Sequence, residues 1–144
     1  MSELDVSKVK LCAAGNLRRA TRALTQLYDD ALRPSGLRVT QFSLLVNLAR
    51  LGPQTMNELA DKLAMDRTTL TRNLAPLERE GWVESVTGED QRTRLVAMTK
   101  QGEKVLSKAI PLWAQAQARM VKGIGQERLR NLIKDLTEMT ELAQ

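Results

Sequence analysis

Met56-Asn57-Glu58-Leu59-Ala60-Asp61-Lys62-Leu63-Ala64-Met65-Asp66-Arg67-Thr68-Thr69-Leu70-Thr71-Arg72-Asn73-Leu74 holds two short helical periods separated by a polar break. Leu59, Ala60 and Leu63 give the first helix one apolar stripe, with Glu58, Asp61 and Lys62 facing out. Asp66 places a side-chain oxygen where the unpaired N–H groups of the next helix begin, and is predicted to cap it. In that second helix Leu70, Leu74 and Leu77 fall at i, i+4 and i+7, which fixes the buried side. At roughly 100° per residue the outward positions are Thr68, Arg72, Ala75 and Arg79, flanked by Thr69 and Thr71. Pro76 has no N–H, so the carbonyl of Arg72 loses its partner and a bend after the first half of the helix is expected.

Small hydroxyls and arginines near a helix N-terminus suit the major groove of duplex DNA. Threonine donates, accepts and offers a methyl to thymine; arginine grips guanine or takes a phosphate. Downstream, Trp82-Val83-Glu84-Ser85-Val86 alternates apolar and polar residues, Thr87-Gly88-Glu89-Asp90 is a turn cluster, and Leu95-Val96-Ala97-Met98 forms a second strand. This hairpin has a charged tip containing Asp90, Arg92 and Arg94. An Asp–Arg pair is expected to hold its shape while another arginine reaches a narrow minor groove, where negative potential concentrates. Two helices and a hairpin in this order read as a winged helix-turn-helix that binds double-stranded DNA.

With these motifs in place the chain resembles the MarR family of transcriptional regulators, over nearly its whole length. The most specific stretches are Asp66-Arg67-Thr68-Thr69-Leu70-Thr71-Arg72 and the wing pattern Asp90, Arg92, Val96, Met98, Thr99. The resemblance implies a homodimer whose recognition helices enter consecutive major grooves and whose wings approach the flanking minor grooves. It also implies, for many members, repression relieved by a small-molecule effector or an oxidant.

Composition fits without deciding. A chain of 144 residues with 42% hydrophobic residues, 8 Gly and 4 Pro is one folded, helix-rich domain. No stretch is apolar and long enough for a membrane span, and no apolar signal-peptide core is seen, so a cytoplasmic location is expected. The net charge of +5 is a weak guide, because residues 38–100 carry 9 Lys+Arg against 8 Asp+Glu. The DNA reading rests on local placement instead: Arg67, Arg72 and Arg79 around the reading helix, Arg92 and Arg94 on the wing.

The flanks supply the rest of the architecture. Leu17, Ala20, Leu24, Leu27 and Ala31 mark one helix from about Ser7 to Leu32, broken by Arg33-Pro34-Ser35-Gly36. A second runs from Val39 to about Arg50, with Thr40 as its expected cap and Phe42, Leu45 and Leu48 inside. After Thr99 a long helix reaches about Lys122, Gly123 and Gly125 punctuate it, and a last helix carries Leu129, Leu132, Ile133, Leu136 and Met139 on one face. Leaving that face in water would be costly at roughly 25 cal/mol per Å²; it packs either inside its own subunit or against a second copy, and the resemblance implies the second copy. The fold class is therefore mainly α with a small β-hairpin wing: an N-terminal dimerisation helix in 1–36, the winged helix-turn-helix in 37–100 and C-terminal dimerisation helices in 101–144, all in one MarR-type domain.

Other functions find less footing. With no His, Ser-His and Cys-His nucleophile pairs and imidazole metal sites are excluded; the Asp29-Asp30 pair reads as a solvated helix surface and the glycines are too scattered for a phosphate loop. No enzyme, cofactor or metal is expected. Cys12 is the one thiol, and some MarR relatives sense oxidants through a cysteine in the first helix. A lone Cys reads as a small buried hydrophobe, and Asn16 stands where such sensors carry an aromatic, even though Lys8 and Lys10 are near. A winged helix serving only as a protein-interaction module would expose an apolar patch rather than Thr68, Thr69, Thr71, Arg72 and Arg79. For an effector pocket between the dimer helices and the reading head, the available aromatics are Tyr28, Phe42 and Trp113, which equally suit the core.

Overall fold

The computed structural model describes residues 3–144. Six helices and one hairpin follow in order: α1 Ala13–Leu32, α2 Val39–Leu51, α3 Met56–Leu63, α4 Arg67–Arg79, β1 Val83–Thr87, β2 Arg94–Met98, α5 Lys100–Ile124 and α6 Gln126–Ala143. The core is leucine-rich and lies where α2, α3, α4 and the hairpin meet the start of α5. Leu45, Leu59, Leu70 and Leu77 are each 0% exposed there. The stripe expected for α4 is thus the buried one, and its opposite face is left to solvent.

The expected single helix from Ser7 is divided. Ser7–Leu11 is a 3₁₀ turn, and Cys12, in non-helical backbone, starts α1 by accepting the Gly15 N–H at Sγ. The Asn16 amide ties the two pieces by donating to the carbonyls of Lys10 and Cys12 at 2.9 and 2.8 Å. Cys12 is exposed, not the buried hydrophobe its isolation suggested.

Thr40 does not cap α2. The chain turns at Gly36, whose φ of 84° lies in the left-handed region open to glycine, and the Val39 N–H donates instead to Asp29 Oδ1 at 2.7 Å. Asp29 is therefore a capping residue rather than half of a solvated pair. Its neighbour Asp30 does face solvent, in an ion pair with Arg33 at 2.6 Å.

Between α3 and α4 the backbone turns at Ala64, which has a positive φ of 52°. Thr55 starts α3 by accepting the Glu58 N–H at 3.1 Å, while Glu58 accepts the Thr55 N–H at 3.0 Å, so two end groups are satisfied reciprocally. The hairpin is antiparallel, pairing Val83 with Met98 and Thr87 with Arg94. Gln54 adds a short third rung by exchanging both backbone hydrogen bonds with Val96.

Helix α5 is capped by Thr99, which accepts the Gly102 N–H at 3.0 Å and donates to the Gly81 carbonyl at 2.6 Å. It includes Pro111 and runs through Gly123, so only Gly125, at φ 95°, breaks the chain before α6. The Trp82 carbonyl passes directly over Gly102. A Cβ at that position would fall onto this oxygen and lie 2.7 Å from Met98 Cγ. Helix α6 has no buried residue; Leu132 and Ile133 are 43% and 52% exposed.

Candidate nucleic-acid interface

Asp66 sets the start of α4 as expected, its Oδ1 accepting the Thr69 N–H at 2.7 Å. That bond holds its carboxyl below the ordinary carboxylate range, with smaller help from the Thr68 N–H and the charge of Arg72. Helix α4 continues through Pro76 to Arg79. Thr68, Thr71, Arg72 and Arg79 are exposed, whereas Thr69 and Ala75 are half-buried at the edge. Thr71 donates its hydroxyl to the Arg67 carbonyl at 2.9 Å, which leaves the oxygen free to accept. The resulting face offers hydroxyl, methyl and guanidinium groups without a large apolar side chain.

At the wing tip no Asp–Arg ion pair forms. Asp90 accepts the backbone N–H groups of Arg92 and Thr93 at 3.1 and 2.8 Å and the Thr93 hydroxyl at 2.7 Å. Thr93, then Arg92, thereby lowers the Asp90 pKa. A positive φ of 59° at Gln91 closes the turn. Because the carboxylate is engaged by backbone and threonine, both wing arginines remain exposed.

Arg92 and Arg94 are brought toward the reading unit itself. With Arg67 from α4 and Thr55, Met56 and Asn57 from the start of α3, they line one cavity of about 250 Å³. The three arginines are separate in the sequence, and its charge pattern singles out neither Thr55 nor Asn57. The signal for Thr55 was present in the spacing Thr55-x-x-Glu58, the pattern of a capping box.

Of the three aromatics, Phe42 and Trp113 stack with centroids 6.1 Å apart and planes inclined by 18°. They wall an apolar groove of about 410 Å³ with Ser43, Val46, Asn47 and Ile110. Phe42 is 7% exposed, so core and groove share this ring. Tyr28 lies outside the groove: its hydroxyl donates to Gln117 Oε1, and partial burial raises its pKa. A separate, larger hollow of about 910 Å³ lies between the start of α1 and the end of α6, walled by Leu17, Leu136, Met139 and Leu142 among others.

A capped helix-turn-helix joined to a two-stranded wing defines the winged-helix class of DNA-associated regulators. Residues 37–93 match the model of the MarR family, and the chain belongs to that family of transcriptional regulators, which are not enzymes. It is 39% identical to the M. tuberculosis transcriptional regulator MosR, with a TM-score of 0.79 over 96% of this chain and 99% of that one. MosR has also been solved in complex with DNA, and there the identity is 42% and the TM-score 0.80, over 92% of this chain and 98% of MosR. The uncharacterized HTH-type transcriptional regulator YwoH of Bacillus subtilis is 36% identical over 88 residues, which span 61% of this chain and 64% of YwoH, just under two thirds of that relative. Among the described residues, no helix is long and apolar enough to cross a membrane.

Proposed function

We propose that this chain is a sequence-specific repressor that binds a palindromic duplex operator as a homodimer and responds to a small-molecule effector. The carrying observation is the exposed face of α4, with Thr68, Thr71, Arg72 and Arg79 directed away from leucines that are at most 2% exposed. A face fixed so firmly by its buried side can hold base-reading groups without ordering them at binding. Arg67, Arg92 and Arg94 supply positive charge beside it, and the DNA complex of MosR supports the same use here.

Dimerisation is supported by α6, none of whose side chains is fully buried within the chain, and by the hollow it forms with α1. The Phe42–Trp113 groove, apolar with Ser43 and Asn47 at its edge, suits a small planar effector. Selection of binding sites from a random duplex library tests the proposal. A palindromic consensus bound by a protein that sediments as a dimer is expected; failure to enrich any duplex would overturn the DNA reading.

A further inference from the structure

Arg67, Arg92 and Arg94 come from the first turn of α4, the wing tip and the first residue of β2, yet they line the same small cavity. Its lining contains no carboxylate. Among the described residues the ion pair is Arg33–Asp30, so none of these guanidinium groups has an acidic partner within the chain. Asp90 is committed to Arg92 N–H and Thr93, and Glu58, in the first turn of α3, is committed to the Thr55 N–H. Three like charges drawn together repel one another, and an anion between them reverses the sign of the interaction. Guanidinium groups present forked donors that match phosphate oxygens.

We propose that these three arginines form a clamp for one backbone phosphodiester of the bound duplex, so that the wing grips the strand beside the reading helix instead of sending both its arginines into the minor groove. Thr55 and Asn57 supply the polar floor. The assignment rests on the DNA reading above and sharpens it: three charges serve one phosphate, not three. Salt dependence separates the cases, because the slope of log K against log salt follows the number of phosphates neutralised, about 0.9 for each. Removing the whole clamp then flattens the slope by about 0.9 per half-site, whereas three independent contacts would flatten it by about 2.7.

The direct test uses the full-length protein and its selected operator, with neutral methylphosphonate placed at one backbone position at a time. The expected result is a single position per half-site whose neutralisation weakens wild-type binding by roughly tenfold, a typical loss for one charge-assisted contact. The effect of that same position should shrink in each of Arg67→Ala, Arg92→Ala and Arg94→Ala and vanish when all three are replaced together. All three side chains are exposed, so unchanged melting checks that the variants fold. Sensitivity of each variant to a different phosphate, or loss of the Arg92 and Arg94 contributions when minor-groove edges are altered, overturns the clamp. Inorganic phosphate titrated into DNA-free protein should give no saturable binding; saturable binding lost in Arg67→Ala would identify a free-anion site and overturn the backbone assignment. A wild type that binds no duplex removes the DNA reading itself, whereas one that binds without a shared position removes only the clamp.

Discussion

Asp29, in the last turn of α1, accepts the N–H of Val39, the first residue of α2, at 2.7 Å. The bond spans the Gly36 turn and joins the outer helix to the reading head. Asp29→Ala leaves that helix end without its carboxylate and should lower stability by about 1 kcal/mol, the usual cost of a lost N-cap. Asp29→Asn, which keeps an acceptor oxygen, should retain most of it. Urea denaturation of the three proteins measures the difference, and equal midpoints would show that the bond contributes nothing.

Arg72→Ala tests base reading. Its guanidinium lies on the exposed face of α4, so folding should be unaffected while operator binding weakens by about 1–3 kcal/mol, the range for a base contact. Mobility-shift titrations against the selected operator and a scrambled duplex check this. The loss should be confined to the selected sequence, and unchanged affinity would take Arg72 out of the reading role.

Replacing Leu132 and Leu136 together by Asp places two charges on the uncovered face of α6. In the chain by itself these residues are exposed and half-buried respectively, so charge there disrupts association more than internal packing. Sedimentation should show monomers or misfolded chains in place of dimers, with loss of binding to the full palindrome. A wild type that is monomeric at micromolar concentration and binds a half-site as tightly as the palindrome would refute the dimer.

Acid should loosen the reading helix and the wing together. Asp66 and Asp90 both have carboxyls held below 3.8 by hydrogen bonds to Thr69 and Thr93. A depressed native pKa gives a contribution that is complete above 3.8 and disappears as pH falls through the lower native value. The Thr69 and Thr93 amides should therefore lose hydrogen-exchange protection below about pH 4, with both losses absent in Asp66→Asn and Asp90→Asn respectively. Protection unchanged down to pH 2 would refute the linkage.

Gly102→Ala is usually favourable inside a helix, but here the added methyl meets the Trp82 carbonyl and Met98. Forcing the wing base away from α5 should cost about 1–3 kcal/mol, as overpacking does. Thermal melting gives the sign: a stabilised variant would mean that the two elements part freely.

Much of this arrangement was legible in the chain because it is local. Leu70, Leu74 and Leu77 repeat at helical spacing, and Asp66 sits next to the N–H groups it caps. Asp29 was not legible as a cap, since its partner lies ten residues on, beyond a turn. At the wing, charge favoured an Asp–Arg pair, but the left-handed Gln91 puts the Thr93 hydroxyl and N–H within reach of Asp90 instead. Gly123 and Gly125 look alike in sequence; helical backbone tolerates the first, and only the second takes a positive φ. Arg67 and Arg92 are far apart along the chain, and their convergence appears only once the hairpin folds back on α3.

Helix α6 has 18 residues, none of them fully buried. Most helical stability in a protein comes from packing of an amphipathic face rather than from propensity, so the coil-to-helix balance of α6 leans on whatever covers its apolar face. In the homodimer proposed above, dilution uncovers that face and removes part of what holds α6 helical, so helical content should follow protein concentration. On that proposal, folding of this segment and assembly of the dimer are coupled, and protein concentration sets the secondary structure of α6 as well as its association.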